Sequence, residues 1–134
     1  MQTIKPQRVI IISAFLLASA LILRAETMDG TKWKVKVVPD KASADKGAKE
    51  FDDEWTFANG KFTSATMLKQ GFKPTKYTLE TEPGEAEFEI EQSRATNDVV
   101  VWVGDIKGTN TIGGLQWKAK DRGDYIYEFK GTRK

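Results

Sequence analysis

The sequence predicts an all-β fold: an eight-stranded antiparallel up-and-down barrel with one short helical turn, preceded by a signal peptide. Three observations predict it. Apolar residues recur with a period of two from Thr31 almost to the end of the chain, hairpin-type turns separate the runs, and the first 25 residues have a different composition from the rest. With 134 residues there is room for one small domain, so 1–25 reads as the signal peptide and 26–134 as a single barrel domain.

The N-terminal segment carries Lys5 and Arg8 with no acid, then an apolar run of 15 residues, Val9 to Leu23, interrupted only by the small Ser13 and Ser19. That is the layout of a secretory signal peptide, and the run falls short of the roughly 20 residues a permanent span needs. Cleavage is expected after Ala25, with Ala18-Ser19-Ala20 as the alternative site. Removing 1–25 takes away Lys5, Arg8 and Arg24 and no acid, leaving 18 basic and 19 acidic side chains and a net charge of −1. A mature domain with that balance lacks the positive charge of a nucleic-acid binder. No cysteine follows the run for lipid attachment, so the expected location is periplasmic or secreted, with no stable membrane insertion after cleavage.

Along the domain, Trp33, Val35 and Val37 alternate with Lys32, Lys34 and Lys36, the pattern of a half-buried strand. Phe51, Asp53, Trp55 and Phe57 alternate with Asp52, Glu54 and Thr56 as a second strand. A carboxylate on the apolar side has to be hydrogen-bonded or at the barrel mouth, and the mouth is the expected place for Asp53. Asn59-Gly60 then turns the chain, because both residues tolerate positive φ, and Lys61 to Ser64 returns as the third strand. Ser64 is expected to cap a helical turn over Ala65 to Gln70, ended by Gly71, the only helix the sequence suggests.

Tyr77 and Leu79 against Thr78 and Glu80 form the fourth strand. Pro83-Gly84 occupies the positions a type II turn favours, and Ala86, Phe88 and Ile90 alternate with Glu85, Glu87, Glu89 and Glu91 in the fifth, whose acidic face is expected to be solvated. Val99 to Val103 is apolar on both faces and suggests a sixth strand with a sticky outer side. Gly113-Gly114 marks a bulge or close backbone approach ahead of Leu115, Trp117 and Ala119 in the seventh. Tyr125, Tyr127 and Phe129 point inward in the eighth. Arg122-Gly123-Asp124 matches an adhesion tripeptide but is also what a tight hairpin needs there. Pro39 to Glu50 is a long polar connection with no large apolar residue.

The chain has no Cys and no His, which removes thiol nucleophiles, histidine bases and the usual zinc and haem ligations. No Asp-x-Asp-x-Asp-Gly stretch offers a calcium loop, and Ser64 has no Ser-x-x-Lys spacing. No enzymatic activity, cofactor or metal is therefore expected.

Gly30-Thr31-Lys32-Trp33 resembles the glycine-then-tryptophan opening of the calycin superfamily of lipocalin-like and avidin-like barrels, with one more residue than their usual Gly-x-Trp. Arg133, after the last strand, takes the place of the arginine that covers that tryptophan. The resemblance implies an exported barrel that binds a small apolar molecule in its interior. The aromatic positions facing inward, Trp33, Trp55, Tyr77, Trp117 and Tyr125, are then the expected contact surface. The arginines of the mature chain, Arg94, Arg122 and Arg133, fall in turns or the tail, so a neutral ligand is expected rather than an anion. The alternative is a barrel whose bulky interior is fully packed, acting as a protein interaction or structural module through an outward apolar spot at Val100 and Trp102, with a protein partner or itself.

Overall fold

The structure, a computed structural model, describes residues 28–121 and 123–134. The expected signal peptide, and the Arg122 of the adhesion-like tripeptide, lie outside these residues. The elements run β1 (Thr31–Pro39), α1 (Lys41–Asp45), β2 (Phe51–Ala58), β3 (Lys61–Ser64), α2 (Ala65–Lys69), β4 (Thr75–Lys76), β5 (Leu79–Glu82), β6 (Glu85–Ser93), β7 (Val99–Lys107), β8 (Asn110–Ala119) and β9 (Gly123–Arg133).

All strands join one antiparallel sheet in the order β4-β3-β2-β1-β9-β8-β7-β6-β5. Every strand is paired with its neighbour in sequence except β4 with β5, and β9 returns to pair with β1. Only Tyr77 and Thr78 separate β4 from β5, a reach of about 11 Å, whereas nine strands laid flat would hold these edges about 38 Å apart. The sheet therefore curls into a barrel-like form whose seam lies between β4 and β5. Side chains bridge the seam: the Gln92 amide donates to the carbonyl of Lys73 at 3.0 Å and accepts from Trp102 Nε1 at 3.0 Å.

The expected eight strands are thus nine, because the run around Tyr77 splits into β4 and β5 at the point where the chain crosses the seam. The expected single helix is one of two among the described residues. α1 lies in the long first connection, capped by Asp40, whose carboxylate accepts the Ser43 amide at 2.8 Å. It docks on β9, where the Ile126 amide donates to Ser43 Oγ at 2.7 Å. α2 starts where the sequence suggests, with Ser64 Oγ accepting the Met67 amide, and the Asn59-Gly60 hairpin has φ of +53° and +74°.

Alternation holds along β1, β2 and β6, and their inward residues form the core with Phe62, Leu115, Tyr127 and Phe129. Trp55 is at its centre, with Phe57, Phe62, Phe88, Trp102 and Phe129 around it at centroid distances of 5.1 to 6.4 Å, all edge-on. Gly113 meets the close approach its sequence suggests. It pairs with Gly104, and a Cβ there would lie 2.1 Å from the Val103 carbonyl oxygen and 2.6 Å from the Phe129 ring. The bare backbone at this pair lets Phe129 and Phe88 lie over it, stacked at 6.3 Å.

Val100 and Trp102 are corrected by the fold. Both face inward and are fully buried, while Val99, Val101 and Val103 face out. The register Ile90↔Trp102↔Leu115 sets this parity, since β6 and β8 both carry those positions inward.

Candidate functional site

The five aromatics expected to share one ligand surface are divided by the fold. Trp33 and Trp55 are inside, with no accessible surface, and their indole N–H groups are taken up by Thr31 Oγ1 at 3.0 Å and Asp53 Oδ2 at 3.2 Å. Tyr77 lies at the hairpin end of the barrel, where its hydroxyl donates to Asp29 at 2.6 Å and accepts the Met28 amide at 3.0 Å. Trp33 and Trp55 are cross-strand partners of β1 and β2 within the core, and Trp117 and Tyr125 are a cross-strand pair of β8 and β9 at the opposite, helix-bearing end.

Asp53 is buried rather than at a mouth. Its carboxylate accepts the Ser64 hydroxyl at 2.5 Å, Trp55 Nε1, and the amides of Glu54 and Thr66, both at 2.9 Å. Four donors satisfy a carboxylate that would otherwise be costly to bury. The Ser64 hydroxyl donates to Asp53 and accepts from Met67, so its role is to cap α2 and tie it to β2.

At the helix-bearing end, Trp117 and Tyr125 join Tyr127 and the segment Lys46 to Lys49 around a cleft of about 260 Å³. Lys46 closes one side, with its ammonium 4.8 Å from the centre of the Tyr125 ring and donating to the Asp124 carbonyl. The Trp117 indole is fixed from behind. Phe72 meets it edge-on at 5.6 Å, the Arg94 guanidinium lies 5.5 Å from its ring centre, and its Nε1 donates to Asp98 at 3.3 Å. Arg94 and Asp98 are ion-paired at 2.7 Å and largely buried, and Arg94 also donates to the Gln70 carbonyl across the seam. Arg94 thus lies against Trp117, while Arg133, expected after the last strand, is the final residue of β9. Arg133 is exposed opposite Trp33 in the β1–β9 register.

Phe72, Arg94 and Asp98 were not legible as site residues, because what joins them is seam closure between 70–74 and the β6–β7 turn. The one local signal is Arg94 and Asp98 flanking a turn at Asn97, which has φ of +70°. On the outer face, Glu85, Glu87 and Asp105 bring carboxylate oxygens within 4.8 Å of one another.

The Arg94 hydrogen bond, with lesser help from Trp117 and the Lys120 amide, holds the Asp98 carboxyl below the usual carboxylate range against the opposing effect of burial. A depressed folded-state pKa stabilises the fold fully above the unfolded value of about 3.9 and is lost as pH falls through the folded value. Urea unfolding across a pH series should therefore show stability declining below about pH 4, with a shallower decline in Asp98→Asn. Equal acid slopes in variant and parent would remove Asp98 as a contributor.

No protein-family model, curated protein or solved structure matches the chain. Its function is read from the arrangement of its own residues.

Proposed function

We propose that the protein is a non-enzymatic, exported module with a solid aromatic core that works through its surface, and not a carrier with a ligand in its interior. The observation that supports this reading is the enclosure of Trp55. A void that admitted water would leave the surrounding rings partly accessible, yet Trp33, Trp55, Phe57, Phe62 and Trp102 have no accessible surface. The expected exchange of interior volume for ligand has no space left to it at these positions.

A second reading keeps a small, neutral, mostly apolar ligand but moves it to the cleft at Trp117, Tyr125 and Tyr127. The cleft, at about 260 Å³, is just under the ~300 Å³ at which small-molecule pockets begin, and its rigid indole offers a stacking surface. Export rests on the N-terminal charge and apolar run.

One experiment addresses both. The chain is recovered from the cell envelope, its mass placing its start at Glu26, and the neutral fluorophore N-phenyl-1-naphthylamine is titrated into it. The surface reading expects no saturable binding. Binding abolished by Trp117→Ala with Tyr125→Ala supports the cleft, binding that survives both changes restores the interior, and an intact Met1 overturns export by cleavage.

A further inference from the structure

We propose that the outward face of β7, β8 and β9 takes a second copy of this chain, related by a two-fold axis running along β8. This inference rests on the surface reading above and names the partner.

The register places the outward residues in cross-strand rows. Val101, Gln116 and Ile126 form one, Val103, Gly114 and Glu128 the next, and Asp105, Ile112 and Lys130 the third. Three apolar residues of the face are open, Val103 at 50% exposed, Ile112 at 56% and Ile126 at 39%, beside the exposed Glu128 and Lys130. At its middle Gly114 has no side chain, so the face is low along β8 and a second backbone can come close. Exposed apolar residues clustered on adjacent strands, rather than scattered singly, mark a contact surface.

Charge selects both the partner and the axis. Asp105, on the β7 side, is opposite Glu87 of β6, and like charges facing each other across a ladder are unfavourable. Lys130, on the β9 side of the same row, is exposed. A two-fold axis along β8 exchanges β7 with β9. It sets Asp105 against Lys130 of the second copy and Lys130 against the second copy's Asp105, with Val101 facing Ile126 and Ile112 facing itself. Val103 then faces Glu128, the one place in these three rows where this arrangement sets a charge on apolar surface. A two-fold axis across the strands would instead set Asp105 against Val101 and Lys130 against Ile126, burying charge on apolar surface. The face is therefore complementary to itself in one arrangement, as an isologous dimer requires.

Sedimentation equilibrium of the mature chain at low salt should show a monomer–dimer equilibrium that weakens as salt is raised. Asp105→Lys and Lys130→Asp should each weaken self-association by at least about tenfold, while circular dichroism reports an unchanged fold. An equimolar mixture of the two variants should recover the dimer, because each copy then supplies the charge the other lacks. A parent that stays monomeric at millimolar concentration, or a dimer indifferent to both reversals and their mixture, overturns the inference. That failure is distinct from failure of the surface reading, which falls only if N-phenyl-1-naphthylamine binds.

Discussion

Trp55→Ala is expected to lower the free energy of unfolding by about 3–5 kcal/mol, a large share of the 5–15 kcal/mol available to a domain of this kind. The cost has two parts. The indole loses its transfer free energy, and the rings of Phe57, Phe62, Phe88, Trp102 and Phe129, each packed edge-on against it, border a void into which large aromatics cannot readily relax. Trp102→Ala should be of similar size, since that ring is equally buried and meets Trp55 at 5.3 Å. Trp117→Ala should cost less, because one side of the indole faces the cleft. The ordering is measured by urea unfolding of the three variants. If Trp117→Ala were the most damaging and Trp102→Ala within about 0.5 kcal/mol of the parent, the inward assignment of β7 would be wrong. Indole added to Trp55→Ala should raise its Tm and leave that of the parent unchanged, as expected when a cavity has been made in a core that had none.

The contrast between Trp55 and Trp102 shows what sequence patterning carries. Strands with polar residues on alternate positions declare their buried face, and Trp55, flanked by Glu54 and Thr56, is unambiguous. Val99 to Val103 has no such alternation, so its parity is fixed only by its partners, Ile90 on one side and Leu115 on the other. Turns with a local steric requirement, Asn59-Gly60 and Pro83-Gly84, were equally legible, as was the Ser64 cap. α1 escaped because a five-residue helix with one buried residue, Ser43, has no hydrophobic period. Its signals are the Asp40 cap and Gly47, at φ of +102°, and both also fit a loop. The candidate site was half legible: Trp117 and Tyr125 follow from the register of one hairpin, whereas Arg94 reaches Phe72 only after the sheet has curled far enough to bring β6 beside the chain leaving α2.

Asp53→Ala is expected to cost about 3–5 kcal/mol, although the change removes only a small polar side chain. Three separate pieces of structure depend on that carboxylate: the indole N–H of the core Trp55, the hydroxyl that caps α2, and the amide of Thr66 in the first turn of the helix. Once Asp53 is gone, the buried indole N–H has no acceptor, an unsatisfied donor that costs about 1–3 kcal/mol, and the part-buried Thr66 amide and the Ser64 hydroxyl lose theirs. Ser64→Ala removes a donor to Asp53 and the helix cap together and should cost about 1–2 kcal/mol. Because the two residues share one network, the double variant should lose less than the sum of the single losses. Asp53→Asn separates charge from space: it keeps the volume and one acceptor oxygen but turns an amide group toward existing donors, so its loss should fall between that of Ser64→Ala and that of Asp53→Ala. These energies are read from urea unfolding of the four variants. An Asp53→Ala chain within about 0.5 kcal/mol of the parent, or losses that simply add, would mean that the helix and the strand are held together by apolar packing and that the buried carboxylate is incidental to it.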